Sequence, residues 1–305
     1  MSAPAASPTG ASFRNLTAAL FLAVMWGLSI PITKLGLLTL PPLTLTGLRF
    51  LIAVPLMFLL VLGKQRLPLR AFPKVAALGI LGIGIGQVAQ TFGVVGTSAS
   101  VATTISAAIP AFVVIFAAMR LKQSVSSIQA LGIAAAFVGI ALVAWGRGDA
   151  TSAASQTSLT GAALVLLSAL TIAFYYVWSV ELSERHGTVV VAAWSTLFGF
   201  IAVLPWTVWE MSRVSFEVTT VGIASAVYLG VMVTVAGLFL WLHLLRTVPA
   251  RIAASIQYLQ PIVGVAAAAV MFGDALGPLF LIGVALVLIG LTLTVATRRK
   301  QKTVN

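Results

Sequence analysis

Apolar stretches of about twenty residues alternate with short polar breaks along almost the whole chain. They run over 16–36, 43–62, 74–95, 98–119, 126–145, 159–180, 188–209, 219–244, 251–272 and 277–296, each bounded by charged, Pro-marked or Gly-marked positions. About twenty apolar residues, rising 1.5 Å each in a helix, cross a roughly 30 Å hydrocarbon layer. The pattern predicts an all-α integral membrane protein of ten transmembrane helices. The long polar break 146–158 is rich in Ser, Thr, Ala and Gly and reads as a linker between five helices and five. Residues 1–15 read as an N-terminal tail and 297–305 as a basic tail. The first apolar run lacks a small-residue cleavage site, so it reads as a transmembrane helix and not a removed signal.

Positions 97–145 recur at a constant offset of 151. Pro110 answers to Pro261, Gly132 to Gly283 and Gly139 to Gly290. A five-helix unit crosses the bilayer an odd number of times, so its copy must enter from the opposite face. Residues 16–145 and 159–296 are therefore expected to be inverted repeats. Secondary transporters commonly use such repeats for alternating access, with the substrate near the midplane where the halves meet.

Composition agrees with a membrane chain: 60% of residues are hydrophobic and 8% charged, against about 25% charged in soluble domains. The net charge of +12 comes from basic residues at the ends of apolar runs. With the N-terminus in the cytoplasm, Arg14, Lys64, Arg66, Arg70, Lys74, Arg120, Lys122, Arg185, Arg246, Arg251, Arg298, Arg299, Lys300 and Lys302 lie inside, and only Arg147 and Arg213 outside. This bias predicts both termini cytoplasmic in a bacterial-type inner (plasma) membrane, with lipid as a partner. No basic stripe interleaves with exposed aromatics, so no nucleic-acid partner is expected. The chain has no cysteine, which excludes disulfide and thiolate chemistry. Two separated histidines make no metal site. No cofactor or catalytic constellation is read, and the oligomeric state is not encoded in the pattern.

Three segments carry a family resemblance: Met25–Lys34 (MWGLSIPITK); Ser98–Pro110 (SASVATTISAAIP), echoed by Pro249–Pro261 (PARIAASIQYLQP); and Gln129–Val143, echoed by Leu279–Leu293. Together, at constant offset, they resemble the EamA family of the drug/metabolite transporter superfamily over nearly all of 16–296, with aromatic amino-acid exporters of YddG type as the most similar subgroup. The resemblance implies a ten-helix exporter of small molecules such as amino acids, whose central cavity is lined mainly by the first four helices of each half. The family often has a Gly-Glu pair after the fourth and ninth helices, where this chain has Lys122-Gln123 and Gly273-Asp274.

Polar side chains inside lipid-spanning helices are costly unless they face protein or water, which makes them candidates for a substrate path. Gln87 and Gln90, three apart, share a helix face and suit either cavity lining or interhelical hydrogen bonds. Arg49 lies about a turn and a half into the second helix, where its planar fork would grip a carboxylate. Lys34, nearer a helix end, is expected to snorkel to the interface. Gln257 and Tyr258 precede Pro261, and Ser106 is the repeat mate of Gln257. Pro110 and Pro261 are hinge candidates, since proline frees a carbonyl one turn earlier. Trp26, near mid-membrane, and Tyr175 suit an aromatic-lined chamber or ordinary helix packing. His243, near the inner end of the eighth helix, suits either an interhelical hydrogen bond or a proton carrier. Glu181, Glu184, Glu210, Glu217, Asp149 and Asp274 all fall at helix ends or in loops, leaving no mid-membrane acid for proton coupling.

These readings converge on a secondary transporter exporting small metabolites, amino acids foremost and aromatic or hydrophobic ones among them, by alternating access. A multidrug or other metabolite exporter is the alternative. A lipid-modifying enzyme would need clustered His, Asp, Glu or Ser at one interface, and a channel would need charged rings or a filter loop. Neither pattern is present.

Overall fold

The computed structural model describes residues 8–63, 66–122, 124–145, 157–247 and 250–296; the side chains described are those of 15–63, 66–120, 122, 124–145, 157–244, 247 and 258–294. The basic tail, most of the linker and the side chain of Gln257 lie outside them. The first span joins α1 (Pro8–Gly27) to α2 (Ser29–Gly36), and α3 (Pro42–Leu59) is the second. The third runs through α4 (Phe72–Leu78), a π-helical segment Gly79–Gly84, and α5 (Ile85–Val95). The fourth combines α6 (Ala99–Ser106) and α7 (Ile109–Leu121), and the fifth is α8 (Ser127–Trp145). In the second half, α9 (Leu159–Trp178) is the sixth span, followed by the short α10 (Val180–His186), and α11 (Thr188–Arg213) is the seventh. The eighth runs through α12 (Thr220–Val227), a π segment Tyr228–Ala236, and α13 (Gly237–Thr247). The ninth and tenth are α14 (Ala250–Phe272) and α15 (Pro278–Ala296). Among the described residues, the first eight spans meet the length and hydropathy needed to cross a membrane, while the ninth and tenth contribute the shorter apolar stretches Tyr258–Phe272 and Pro278–Thr294.

Local chemistry sets the boundaries. The Ser98, Ser158 and Thr219 hydroxyls accept from the N–H groups of Val101, Gly161 and Gly222, capping α6, α9 and α12. Ser126 and Gln129 exchange reciprocal backbone–side-chain bonds, a capping box at the start of α8. Pro110, unable to donate, coincides with the break between α6 and α7 at Ala107–Ala108. Its mate Pro261 lies inside a continuous α14. The two prolines thus have different local consequences, although the sequence pattern treats them alike.

Packing follows the 151-residue offset. The fifth and tenth spans pair with each other, the second with the seventh and the fourth with the ninth; contact of the first with the ninth is matched by that of the sixth with the fourth. Glycines allow the closest approaches. A Cβ on Gly139 would lie 2.6 Å from the Gly283 carbonyl oxygen, and one on Gly132 would lie 2.7 Å from that of Gly290. As the residue number rises in α8 it falls in α15, so these repeat mates run antiparallel. Gly82, Gly86, Gly93 and Gly96 likewise bring the third span onto Tyr175, Thr171, Val165 and Gly161 of the sixth, again antiparallel. Small residues stand in for a hydrophobic driving force where the surrounding lipid is itself apolar.

The two π segments also match: Gly79–Gly84 maps onto 230–235, inside Tyr228–Ala236. The Thr234 hydroxyl donates to the Leu229 carbonyl five residues earlier, which helps satisfy the widened turn. Isolated π turns occur often at functional sites.

Candidate functional site

Between the halves lies a cavity of about 260 Å³ whose lining pairs up across the repeat. Gly82 and Val233, Ile83 and Thr234, Gln87 and Leu238, Gln90 and Trp241, Ile109 and Gln260, and Pro110 and Pro261 all line it, and each pair is separated by the repeat offset. Its wall includes Met57 late in α3, Ala192 and Thr196 early in α11, and Trp241 late in the eighth span. The cavity therefore extends from mid-depth toward the end of the bundle where α3 ends and α11 begins, the end at which α1 starts and α15 finishes.

Arg49 is the one charged residue in that lining. Its Nε donates to Thr234 Oγ1 at 3.0 Å and its Nη1 donates to Gln87 Oε1 at 2.5 Å. The guanidinium thus ties the second span to the π segment of the eighth and to the third just past its own π segment. Both partners are neutral, and no carboxylate pairs with Arg49 among the described residues. Gln260 Nε2 and Ser106 Oγ are buried without a protein partner and line the same chamber.

One wall is aromatic. Trp26 and Trp241 pack with ring centroids 5.7 Å apart, and Tyr175 and Tyr176 line the opposite half. Trp26 Nε1 donates to the Val233 carbonyl, so its amphipathic ring has its polar edge satisfied. The indole also reaches Gly237, where any Cβ would clash with Nε1.

At the far end of the bundle, charged side chains are seated on helix termini. Lys34 Nζ donates to the carbonyls of Val94 (2.8 Å), Val95 (3.3 Å) and Thr97 (2.7 Å), at the C-terminus of α5. Snorkelling was the expectation for Lys34; its ammonium instead turns into the protein, because a helix C-terminus offers three carbonyls and a favourable dipole. Asp274 accepts from the N–H of Ser100 at the start of α6. Glu210 accepts from both the N–H and the hydroxyl of Thr44 at the start of α3. Both acids lie at element ends, yet both are buried. At the near end, Glu181 pairs with Arg120 and Arg185, and the Arg120 guanidinium lies 5.3 Å from the Trp178 ring centroid.

Of the residues singled out in the sequence, Trp26, Arg49, Gln87, Gln90, Ser106, Tyr175, Pro110 and Pro261 come together around this chamber. Tyr258 does not. Its hydroxyl donates to the Leu291 carbonyl on α15, and its ring packs against the buried cluster beneath that helix. His243 is exposed and outside the lining. Thr234 and Gln260 join the chamber without having been selected. The repeat offset was the available signal for both, since each is the mate of a chamber-lining position in the first half.

A family model described as the EamA-like transporter family matches residues 14–145 and again 159–296. A probable amino-acid metabolite efflux pump of Salmonella typhimurium is 29% identical, covering 93% of this chain and 96% of its own. A probable terminal-alkyne amino-acid exporter of Streptantibioticus cattleyicolor is 28% identical over 92% of this chain and 94% of its own. An uncharacterized transporter of Archaeoglobus fulgidus is 27% identical over 90% and 95%. A crystal structure of a protein aligns at a TM-score of 0.65 and 17% identity, over 93% of this chain and 96% of that one, a likeness of fold alone. With two matches that together span most of its length, the chain is a multi-pass membrane protein of the EamA-like transporter family.

Proposed function

We propose that the protein is a secondary transporter that exports small amino-acid-type metabolites, aromatic or hydrophobic ones foremost, by alternating access between two inverted five-helix halves. Arg49 carries this reading. A permanently charged, fork-shaped donor at mid-depth, held by neutral partners only, is arranged to receive a carboxylate in bidentate fashion. Trp26, Trp241 and Tyr175 supply apolar surface for the rest of the solute. Relatives named for amino-acid metabolite efflux support the same substrate class.

Both termini are cytoplasmic in this account, following the positive-inside bias, and the membrane is the bacterial-type inner membrane. Pro110 and Pro261, facing the chamber from corresponding places, act as its hinges. Among the described residues no Asp, Glu or His lines the chamber, and the reading therefore assigns no buried proton shuttle. Uptake of a labelled amino-acid panel into proteoliposomes, with and without a pH gradient, tests the reading. The expected result is saturable flux of carboxylate-bearing solutes that is unchanged by the gradient. Flux no greater than in empty vesicles would refute it.

A further inference from the structure

Among the described residues, the chamber holds one fixed positive charge and nothing to balance it. Glu210 and Asp274 are committed to the starts of α3 and α6, and Glu181 is committed to two arginines at the near end. An arginine keeps its proton at physiological pH, so the empty chamber carries a net +1. Its spare polar groups add to this preference. Gln260 Nε2 is a buried donor without an acceptor, and the Ser106 hydroxyl has no partner. A carboxylate oxygen satisfies such groups, whereas an ammonium brings a second positive charge into a partly desolvated space that has no acid to meet it.

Building on the transporter reading above, we infer that the preferred substrates are hydrophobic monoanions, meaning carboxylates whose α-nitrogen is acylated or absent, and that the membrane potential drives their export. A zwitterionic amino acid fills the carboxylate subsite but leaves its ammonium uncompensated; a monoanion brings the complex to neutrality. With no lining group to carry a coupling ion, each transport cycle moves one negative charge. That charge is worth about 2.3 kcal/mol per 100 mV, a roughly fifty-fold accumulation ratio. An inside-negative potential therefore expels the substrate without a proton or sodium gradient.

The test uses the full chain in proteoliposomes and three probes that share the phenylalanine skeleton: N-acetylphenylalanine (anion), phenylalanine (zwitterion) and phenylalanine amide (cation). Potentials are clamped with potassium gradients and valinomycin. The anion should half-saturate at a concentration at least tenfold below that for phenylalanine, and the amide should not be carried. Anion flux should rise several-fold when the receiving compartment is positive and fall when the potential is reversed. In Arg49→Gln the preference for the anion should disappear. The wild-type series decides the matter even if that variant fails to fold. Phenylalanine carried as well as the anion, without dependence on potential, would overturn the charge inference and leave the transporter reading standing. No flux of any of the three would remove both.

Discussion

Lys122 ends α7 in the left-handed region, at φ 51°, where a side chain costs about 1–2 kcal/mol. Its repeat mate at the end of α14 is Gly273, at φ 66°, which adopts that conformation freely. Lys122→Gly should therefore raise stability by about 1 kcal/mol, read as a higher melting midpoint in detergent. An unchanged or lowered midpoint would mean that the lysine side chain makes compensating contacts. The offset that reveals this pair also explains which site residues could be read from sequence. Arg49, Gln87 and Gln90 stand out because a charge or amide in an apolar run needs a polar neighbour, and the structure supplies that neighbour by joining Arg49 to Gln87. Thr234 does not stand out, since a threonine can satisfy itself on its own helix, as it does with Leu229. His243 and Tyr258 looked equally suitable, but helix rotation turns one outward and the other onto α15, and an apolar run does not encode that rotation.

At the scale of elements, the apolar runs were legible because length and hydropathy mark a membrane-spanning helix; among the described residues eight meet that measure and the last two are shorter apolar helices. The π segments were not legible. The glycines at 79, 82, 84 and 86 pack on Ser195, Tyr175, Gly199 and Thr171 respectively. The widened turns within that stretch follow from how closely the neighbouring helices approach. Buried capping by Glu210 and Asp274 was also hidden, because their sequence positions show only acids near helix ends. Those caps place negative charge on the starts of α3 and α6, where the helix dipole favours it, and in the proposed cycle they hold the far end shut. Glu210→Gln combined with Asp274→Asn should loosen that seal. A thiol placed at the buried Thr97 by Thr97→Cys should then be modified from the far side at least threefold faster than with both acids intact. An equal rate would show that the carboxylates stabilise the fold without gating it.

For the whole molecule, the pairing of fifth with tenth, second with seventh and fourth with ninth spans sets six offset-related residue pairs around one chamber. The chamber reaches toward the near end, while Lys34, Asp274 and Glu210 are seated on helix termini at the far end. In the proposed alternating-access cycle this arrangement is one half, and the other half requires the same chamber to be reachable from the opposite face. The chain contains no cysteine, and Ser106 Oγ faces the chamber without a partner, so Ser106→Cys provides a nearly isosteric reporter. Modification of that thiol by a membrane-impermeant reagent, applied separately to each face of oriented membrane vesicles, tests the central claim most directly. The account predicts labelling from both faces, slowed at each by a saturating carboxylate solute. Labelling from one face only, whatever solute is present, would contradict it.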